Sequence, residues 1–437
     1  MNLSYDAVLG AGAQDAPSPR GTLSKLQLFA LTACTIGFML DTSEIAVGSA
    51  LGAIFKQDPR AAGVLPWLLA SMYIGGILGA PICGHLADRF GRCPVLCLLV
   101  VVMALSSIGA ALPDDLVFVT AARIVTGFAA GGYPPVMFAY VSEILPAKIR
   151  GRAIMTITAV AFMAPVATVM AVRRMTPFGA FGLEGWRCVL VLLGLLALIA
   201  FLLIRRIPSS PIWLLSRGRY ADAVSSARRL KTDLPAATGR PADAAQPAEP
   251  RKGHFALFCL LLFLSPWATV AFPLLSGAAM IQKGLKLDQT LLVLAISSLA
   301  PIVGPALAAM AIDRVDRRIA LASGAAVMVV ASAIFAAASG EALILASMLM
   351  FYLVGSTHVS ILALFTAEAF PVSARGWVGS VTWAFNRIAS VTVPLVLLPL
   401  LSRFGATSIA AAVLASQALF VALLQLAPSK LQGRPLR

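Results

Sequence analysis

Gly84-His85-Leu86-Ala87-Asp88-Arg89-Phe90-Gly91-Arg92 separates two long apolar stretches, and a weathered copy, Ala309-Met310-Ala311-Ile312-Asp313-Arg314-Val315-Asp316-Arg317, stands 225 residues downstream. A second pair of motifs keeps the same offset. Glu143, Pro146 and Arg150-Gly151 follow one apolar stretch, and Glu368, Pro371 and Arg375-Gly376 follow another 225 residues later. Two separate motifs at one spacing mean that the chain is built from two halves of like design.

The remainder of the 437 residues fits that plan. The chain is 59% hydrophobic and only 12% charged, with a mean hydropathy of +0.89. Soluble domains carry about 25% charged residues, so this chain belongs in lipid. Stretches of about 20 apolar residues, each long enough to cross a bilayer, predict twelve helices: 26–50, 65–86, 94–112, 116–140, 152–172, 186–205, 255–280, 289–312, 319–338, 342–366, 377–400 and 406–426. The expected class is an all-α membrane protein of two six-helix pseudo-repeats, 25–205 and 255–427. A cytoplasmic linker, 206–254, joins them, with tails at 1–24 and 428–437.

The net charge of +15 does not imply nucleic acid, because the basic residues punctuate apolar stretches instead of gathering in one soluble domain. About 24 of the 34 Lys and Arg fall on one set of alternating loops and about 8 on the other, which predicts a multi-pass cell (inner or plasma) membrane protein with both termini cytoplasmic. The six cysteines form no Cys-x-x-Cys pair and read as small core residues. No metal or other cofactor is expected, and the expected partners are a small-molecule substrate, protons and the lipid bilayer, with the chain acting as a monomer.

The 84–92 segment is similar to the signature loop of the major facilitator superfamily. Pro208-Ser-Ser-Pro211-Ile-Trp213-Leu-Leu resembles the Pro-Glu-Ser-Pro-Arg-Trp-Leu motif after helix six of its sugar-porter and organic-ion branches, without that motif's acid and arginine. With Arg123-Ile-Val-Thr-Gly127 and Ser142-Glu143, the resemblance spans nearly the whole chain. It implies alternating access, with a conformational latch made of Gly84, Asp88, Arg89, Gly91, Arg92, Glu143 and Arg150 in one half and Asp313, Arg314, Glu368 and Arg375 in the other. Gly91 suits a tight turn. Asp88 is expected to accept backbone N–H groups beside a helix N-terminus, and Arg89 and Arg92 to pair with carboxylates such as Glu143.

Charges that do not repeat mark the site. Asp41 and Glu44, in Phe38-Met-Leu-Asp41-Thr-Ser-Glu44-Ile, lie inside the first span. An ionised acid at that depth costs about 2.5–3.5 kcal/mol unless it is paired, protonated or wet. At i and i+3 the two share a helix face, which suits proton coupling. Asp41-Thr-Ser-Glu44 looks like the Asp-Gly-x-Asp of aromatic-acid:proton symporters, with Thr for Gly and Glu for the second Asp. Arg387 is about 12 residues into its span, roughly 18 Å and so near the midplane, where its fork suits a carboxylate. Arg123 lies about 8 residues, roughly 12 Å, into helix four. Asn386, Trp267, Trp383 and His358 complete the expected substrate site. The competing expectation is a purely structural network of Asp41, Glu44, Arg123 and Arg387, with Arg123 its most natural member.

These readings predict a proton-coupled secondary carrier of a small organic anion, a carboxylate. A sugar or polyol porter is disfavoured by a chain with just two asparagines, Asn2 and Asn386, and without a Gln-Gln pair in Leu261–Met280. A drug:proton antiporter usually has a Gly-Pro motif in helix five, where this chain has Ala164-Pro165. A membrane-embedded enzyme would need a nucleophile–base pair, paired acids or a metal set, and none is recognisable. A channel would leave the two-half repeat unexplained.

Overall fold

The computed structural model describes residues 23–61, 63–178, 182–232, 234, 252–311, 315–370 and 372–427. Most of the expected tails, the later part of the linker, and Asp313 and Arg314 of the second signature loop lie outside these residues, as do the side chains of Glu368 and Arg375. The described chain is almost wholly helical, and twelve of its helical segments are long and apolar enough to cross a membrane.

The first half contains α1 (Lys25–Ile54), α2 (Leu65–Phe90), α3 (Arg92–Ala111), α4 (Leu116–Ile144), α5 (Ala147–Ala161), α6 (Met163–Met175) and α7 (Gly185–Ile204). Two short helices follow, α8 (Pro211–Ser216) and α9 (Tyr220–Leu230). The second half comprises α10 (Lys252–Leu264), α11 (Pro266–Thr269), α12 (Ala271–Gln282), α13 (Leu287–Ser297), α14 (Ala300–Ala311), α15 (Arg317–Ala337), α16 (Glu341–Ala369), α17 (Val372–Phe404) and α18 (Thr407–Leu424). Twelve crossings return the chain to the face from which it starts, here the terminal face; the other is the far face.

Three expected spans, 152–172, 255–280 and 289–312, are broken rather than continuous. The breaks fall at Phe162, at Ser265–Val270 and after Ser297. Proline explains all three. Pro165, Pro266 and Pro301 each lack an N–H and crowd the carbonyl four residues earlier. Those carbonyls belong to Ala161, Leu262 and Ser297. Two of them are recaptured by side chains of other helices. Thr42 Oγ1 of α1 donates to Ala161 O at 2.9 Å, and Asn386 Nδ2 of α17 donates to Leu262 O at 3.2 Å.

Helix starts are fixed locally. Ser24 Oγ accepts the N–H of Gln27, whose side chain accepts the N–H of Ser24, a reciprocal cap that opens α1. Asp115 caps α4 through the N–H of Val117. Helices α2 and α4 then pack backbone to backbone. A Cβ on Gly75 would stand 2.0 Å from Ile124 O, and one on Gly127 2.3 Å from Met72 O. Small residues permit this approach inside a membrane.

The halves meet along α1 and α12, α2 and α17, and α6 and α13. Side-chain bonds fasten the far face. Arg173 grips Asp288 through Nε and Nη2, both at 2.8 Å, and Lys56 Nζ donates to Ser402 Oγ at 2.8 Å.

Gly127→Val is expected to abolish the monodisperse, folded protein in detergent, whereas Gly109→Ala, with open space around its Cβ, leaves thermal unfolding unchanged or gains up to about 1 kcal/mol.

Candidate functional site

The two acids of α1 face different surroundings. Glu44 is 2% exposed; its Oε1 accepts Ser107 Oγ at 2.5 Å and its Oε2 pairs with Arg123 Nη1 at 3.2 Å. Arg123 Nη2 also donates to the backbone carbonyl of Glu44 at 2.7 Å. One guanidinium therefore holds both the side chain and the main chain of Glu44, and Arg123 is itself 1% exposed. This matches the structural ion pair weighed as the competing expectation for these two residues. Its value lies in mutual compensation, because either charge left alone in the interior is the costly state.

Asp41, 4% exposed, makes no hydrogen bond or ion pair within 4 Å among the described residues. Its electrostatic partner is Arg387 of the other half. That guanidinium lies over the backbone of α2, 3.7 Å from where a Cβ on Gly76 would stand, so the glycine makes room for a side chain reaching across the interface. Among the described residues Arg387 has no salt bridge of its own. Tyr73 of α2 interacts electrostatically with both Arg387 and Arg123, and Tyr352 of α16 with Tyr73. The candidate site is thus Asp41, Tyr73 and Arg387, with Tyr352 at its edge and the Glu44–Arg123 pair as its closed wall. Tyr352 and Ser107 carried no sequence signal, since a lone hydroxyl in an apolar span has no spacing to reveal its partner.

Other expected site residues have different surroundings. Asn386 directs its amide at the carbonyl freed by Pro266, which makes it a pin on a broken helix. Trp267 lines an apolar cavity of about 690 Å³ with Phe263, Leu397, Leu400 and Ser416. Trp383 is 38% exposed on α17. His358 packs against Phe420 of α18, ring centroids 4.9 Å apart and planes tilted by 53°, and neither ring nitrogen has a partner among the described residues. The structure does not gather these four around Asp41.

Arg92, Asp88 and Glu143, expected in a latch of the first half, lie together, with two corrections to the expected pairing. Arg92 bridges Asp88 at 3.0 Å and Glu143 at 2.9 Å. The Asp88 carboxylate is largely exposed and pairs with Arg92 instead of accepting backbone N–H groups. Arg89 lies over the ring of Phe90 rather than on a carboxylate. Carbonyls at the end of α2 are taken by the linker: Trp213 Nε1 donates to Asp88 O at 2.8 Å, and Arg217 Nη2 to Asp88 O at 2.7 Å and to Arg89 O at 3.2 Å. Gly91, at φ 101°, leaves its Cβ position 3.2 Å from the Trp213 ring. Arg150 Nη2 donates to Leu145 O at 3.4 Å. Nothing in the structure explains a glycine at Gly84, which has open space around it.

Residues 49–427 match the family model described as sugar (and other) transporter, and the chain belongs to that family. It is a transporter of the major facilitator fold, not an enzyme. The niacin transporter NiaP of Acinetobacter baylyi is 24% identical over 83% of this chain and 84% of its own length. The arabinose-proton symporter of Escherichia coli is 28% identical over 54% of this chain and 49% of its own. Among solved structures, the xylose transporter XylE of E. coli in a partially occluded inward-open conformation superposes with a TM-score of 0.77, at 20% identity, over 94% of this chain and 100% of the other.

Arg123→Leu alone is expected to cost about 3–5 kcal/mol, because it strands the Glu44 carboxylate. The double change Arg123→Met with Glu44→Leu recovers most of that loss, as read by thermal unfolding of the purified protein. A double mutant no more stable than the single one would refute the pairing.

Proposed function

We propose that this chain is a proton-coupled carrier of a small organic anion, a carboxylate, and that it works by alternating access in the cell membrane with both termini cytoplasmic. The observation that carries this reading is the pair Asp41 and Arg387. They belong to opposite halves, attract each other electrostatically, and neither forms an ion pair within 4 Å among the described residues. A substrate carboxylate that takes the Arg387 fork removes the counter-charge from Asp41. The acid then favours its protonated form, since an unpaired carboxylate in low dielectric is costly. Substrate and proton thereby load together. Release reverses the order. Glu44, held by Arg123 and Ser107, is the lesser candidate for the proton.

Niacin is itself a carboxylic acid, and the niacin transporter matches most of this chain, which supports an anionic substrate. The arabinose-proton symporter supports proton coupling, and with XylE it favours a second reading, a sugar or polyol porter. Against that reading stands the shortage of amide side chains: of two asparagines, one lies near the N-terminus and the other binds a backbone carbonyl.

Asp41→Asn is expected to abolish accumulation driven by a pH gradient in proteoliposomes while leaving substrate exchange. Glu44→Gln chiefly lowers stability. Full gradient-driven accumulation by Asp41→Asn would remove this acid from the coupling.

Arg387→Lys keeps the charge but loses the planar fork. It should bind nicotinate or a similar acid roughly ten- to a hundred-fold more weakly, the loss of about 1.5–3 kcal/mol expected for a charge-assisted pair. Binding of the uncharged amide analogue should change little. If a monosaccharide, and no carboxylate, stabilises the wild-type protein, the sugar reading prevails.

A further inference from the structure

Where α9 meets α1, the terminal face gathers cations that no acid among the described residues answers. Ser24 Oγ donates to the carbonyl of Leu230 at 3.0 Å, tying the last residue of α9 to the cap of α1. That one bond brings Lys25, at the start of α1, beside Arg228, Arg229 and Lys231 at the end of α9. Helix α7 packs on α1 and ends at Ile204, so Arg205 and Arg206 emerge at the same face. All six side chains are exposed. Among the described residues none of them forms an ion pair or a side-chain hydrogen bond. Asp222, the acid of α9 itself, is already paired with Arg219 at 2.7 Å.

The underside of α9 explains why the cations stay together. Ala223, Ala227 and Leu230 are buried against the first half, so the helix is docked, and its basic residues are held on the outer side. Lys231 ends the helix in the left-handed region, at φ 54°, which turns the chain away at this point. Arg205 follows the last residue of a membrane-spanning helix, and Lys25 opens another, so the patch lies at the level of lipid headgroups, not in bulk solvent.

We infer that this patch binds the headgroup of an anionic phospholipid in the adjacent leaflet. Three features support it: charge complementarity, position at the ends of α1 and α7, and a rigid mount for four of the six cations. Clusters of four to eight basic residues beside a membrane helix have this affinity, each contributing about fivefold in partitioning at moderate salt, equivalent to about 1 kcal/mol. The attraction is screened by added salt. Such a lipid would bridge α9 to α1 and α7, and thereby steady the linker whose Trp213 and Arg217 hold the end of α2.

The test uses the full chain in nanodiscs of phosphatidylcholine containing a minority of phosphatidylglycerol, with the retained lipid identified by native mass spectrometry after extraction. Wild-type protein is expected to retain phosphatidylglycerol at least tenfold above its share of the mixture. Replacement of all six cations by Gln should erase that enrichment, and 0.5 M salt during extraction should reduce it. Arg228→Gln with Arg229→Gln, two exposed side chains without a hydrogen bond or ion pair among the described residues, gives a partial loss in a protein that folds normally. Lys286→Gln with Arg403→Gln, at the far face, serves as the charge-matched control and should leave the enrichment intact. Unchanged enrichment in the six-site variant overturns the inference, as does an equal loss in the control. So does complete displacement of the lipid by soluble glycerol phosphate, which would show a site for free phosphate.

Discussion

A backbone carbonyl released inside a membrane helix has no water to turn to, and the architecture of this transporter is arranged around that fact. Pro165 and Pro266 break two spans and each frees the carbonyl of the preceding turn. Thr42 and Asn386 reach across from neighbouring helices to take them. Broken helices are tolerated in a bilayer when neighbours satisfy the released groups. Each break therefore specifies a contact: the span holding Pro165 must lie beside α1, and the span holding Pro266 beside α17. The two contacts flank Asp41 and Arg387, since Thr42 adjoins the acid and Asn386 adjoins the arginine in sequence. The residues that repair the breaks thus also set where the site's charges stand.

The same scarcity of water separates the two acids of α1. Glu44 has Arg123 and Ser107 and is closed off. Asp41, among the described residues, has only the electrostatic attraction of Arg387, whose mount belongs to the other half. An ion pair inside one half survives any rearrangement between the halves. A pair between halves is exposed to whatever changes their relation. That difference, more than the acids' positions on a helix face, is the ground for proposing that Asp41, and not Glu44, responds to a substrate.

At the terminal face the signature loop is held from two sides. Arg92 gathers Asp88 and Glu143, and the linker lays Trp213 and Arg217 onto the carbonyls that end α2. The linker motif lacks the acid and arginine of its relatives, yet this chain contacts the loop through backbone acceptors, which are indifferent to side-chain identity. The far face is held differently, by side chains joining the two halves, Arg173 with Asp288 and Lys56 with Ser402. At the far face those contacts between halves stand beside contacts within a half, such as Arg187 with Asp114 and Lys283 with the carbonyl of Ala338.

The sequence by itself determined the twelve spans, the two-half construction and the signature loop. Long apolar runs admit only helices in lipid, and a spacing of 225 residues shared by two motifs is legible without coordinates. It also marked Asp41, Glu44, Arg123 and Arg387, because a charge at that depth is too costly to be incidental. Only the tertiary structure decided how those four divide. Asp41 and Glu44 differ by one turn, and nothing in their spacing says which one meets Arg123. It also reassigned Asn386 to a freed carbonyl, moved Trp267 to an apolar cavity and His358 against Phe420, and brought Tyr73 and Tyr352 into reach of the charges. Those outcomes depend on which helices are neighbours and how each is rotated, and a polar residue in an apolar span reveals its depth but not the direction in which it points.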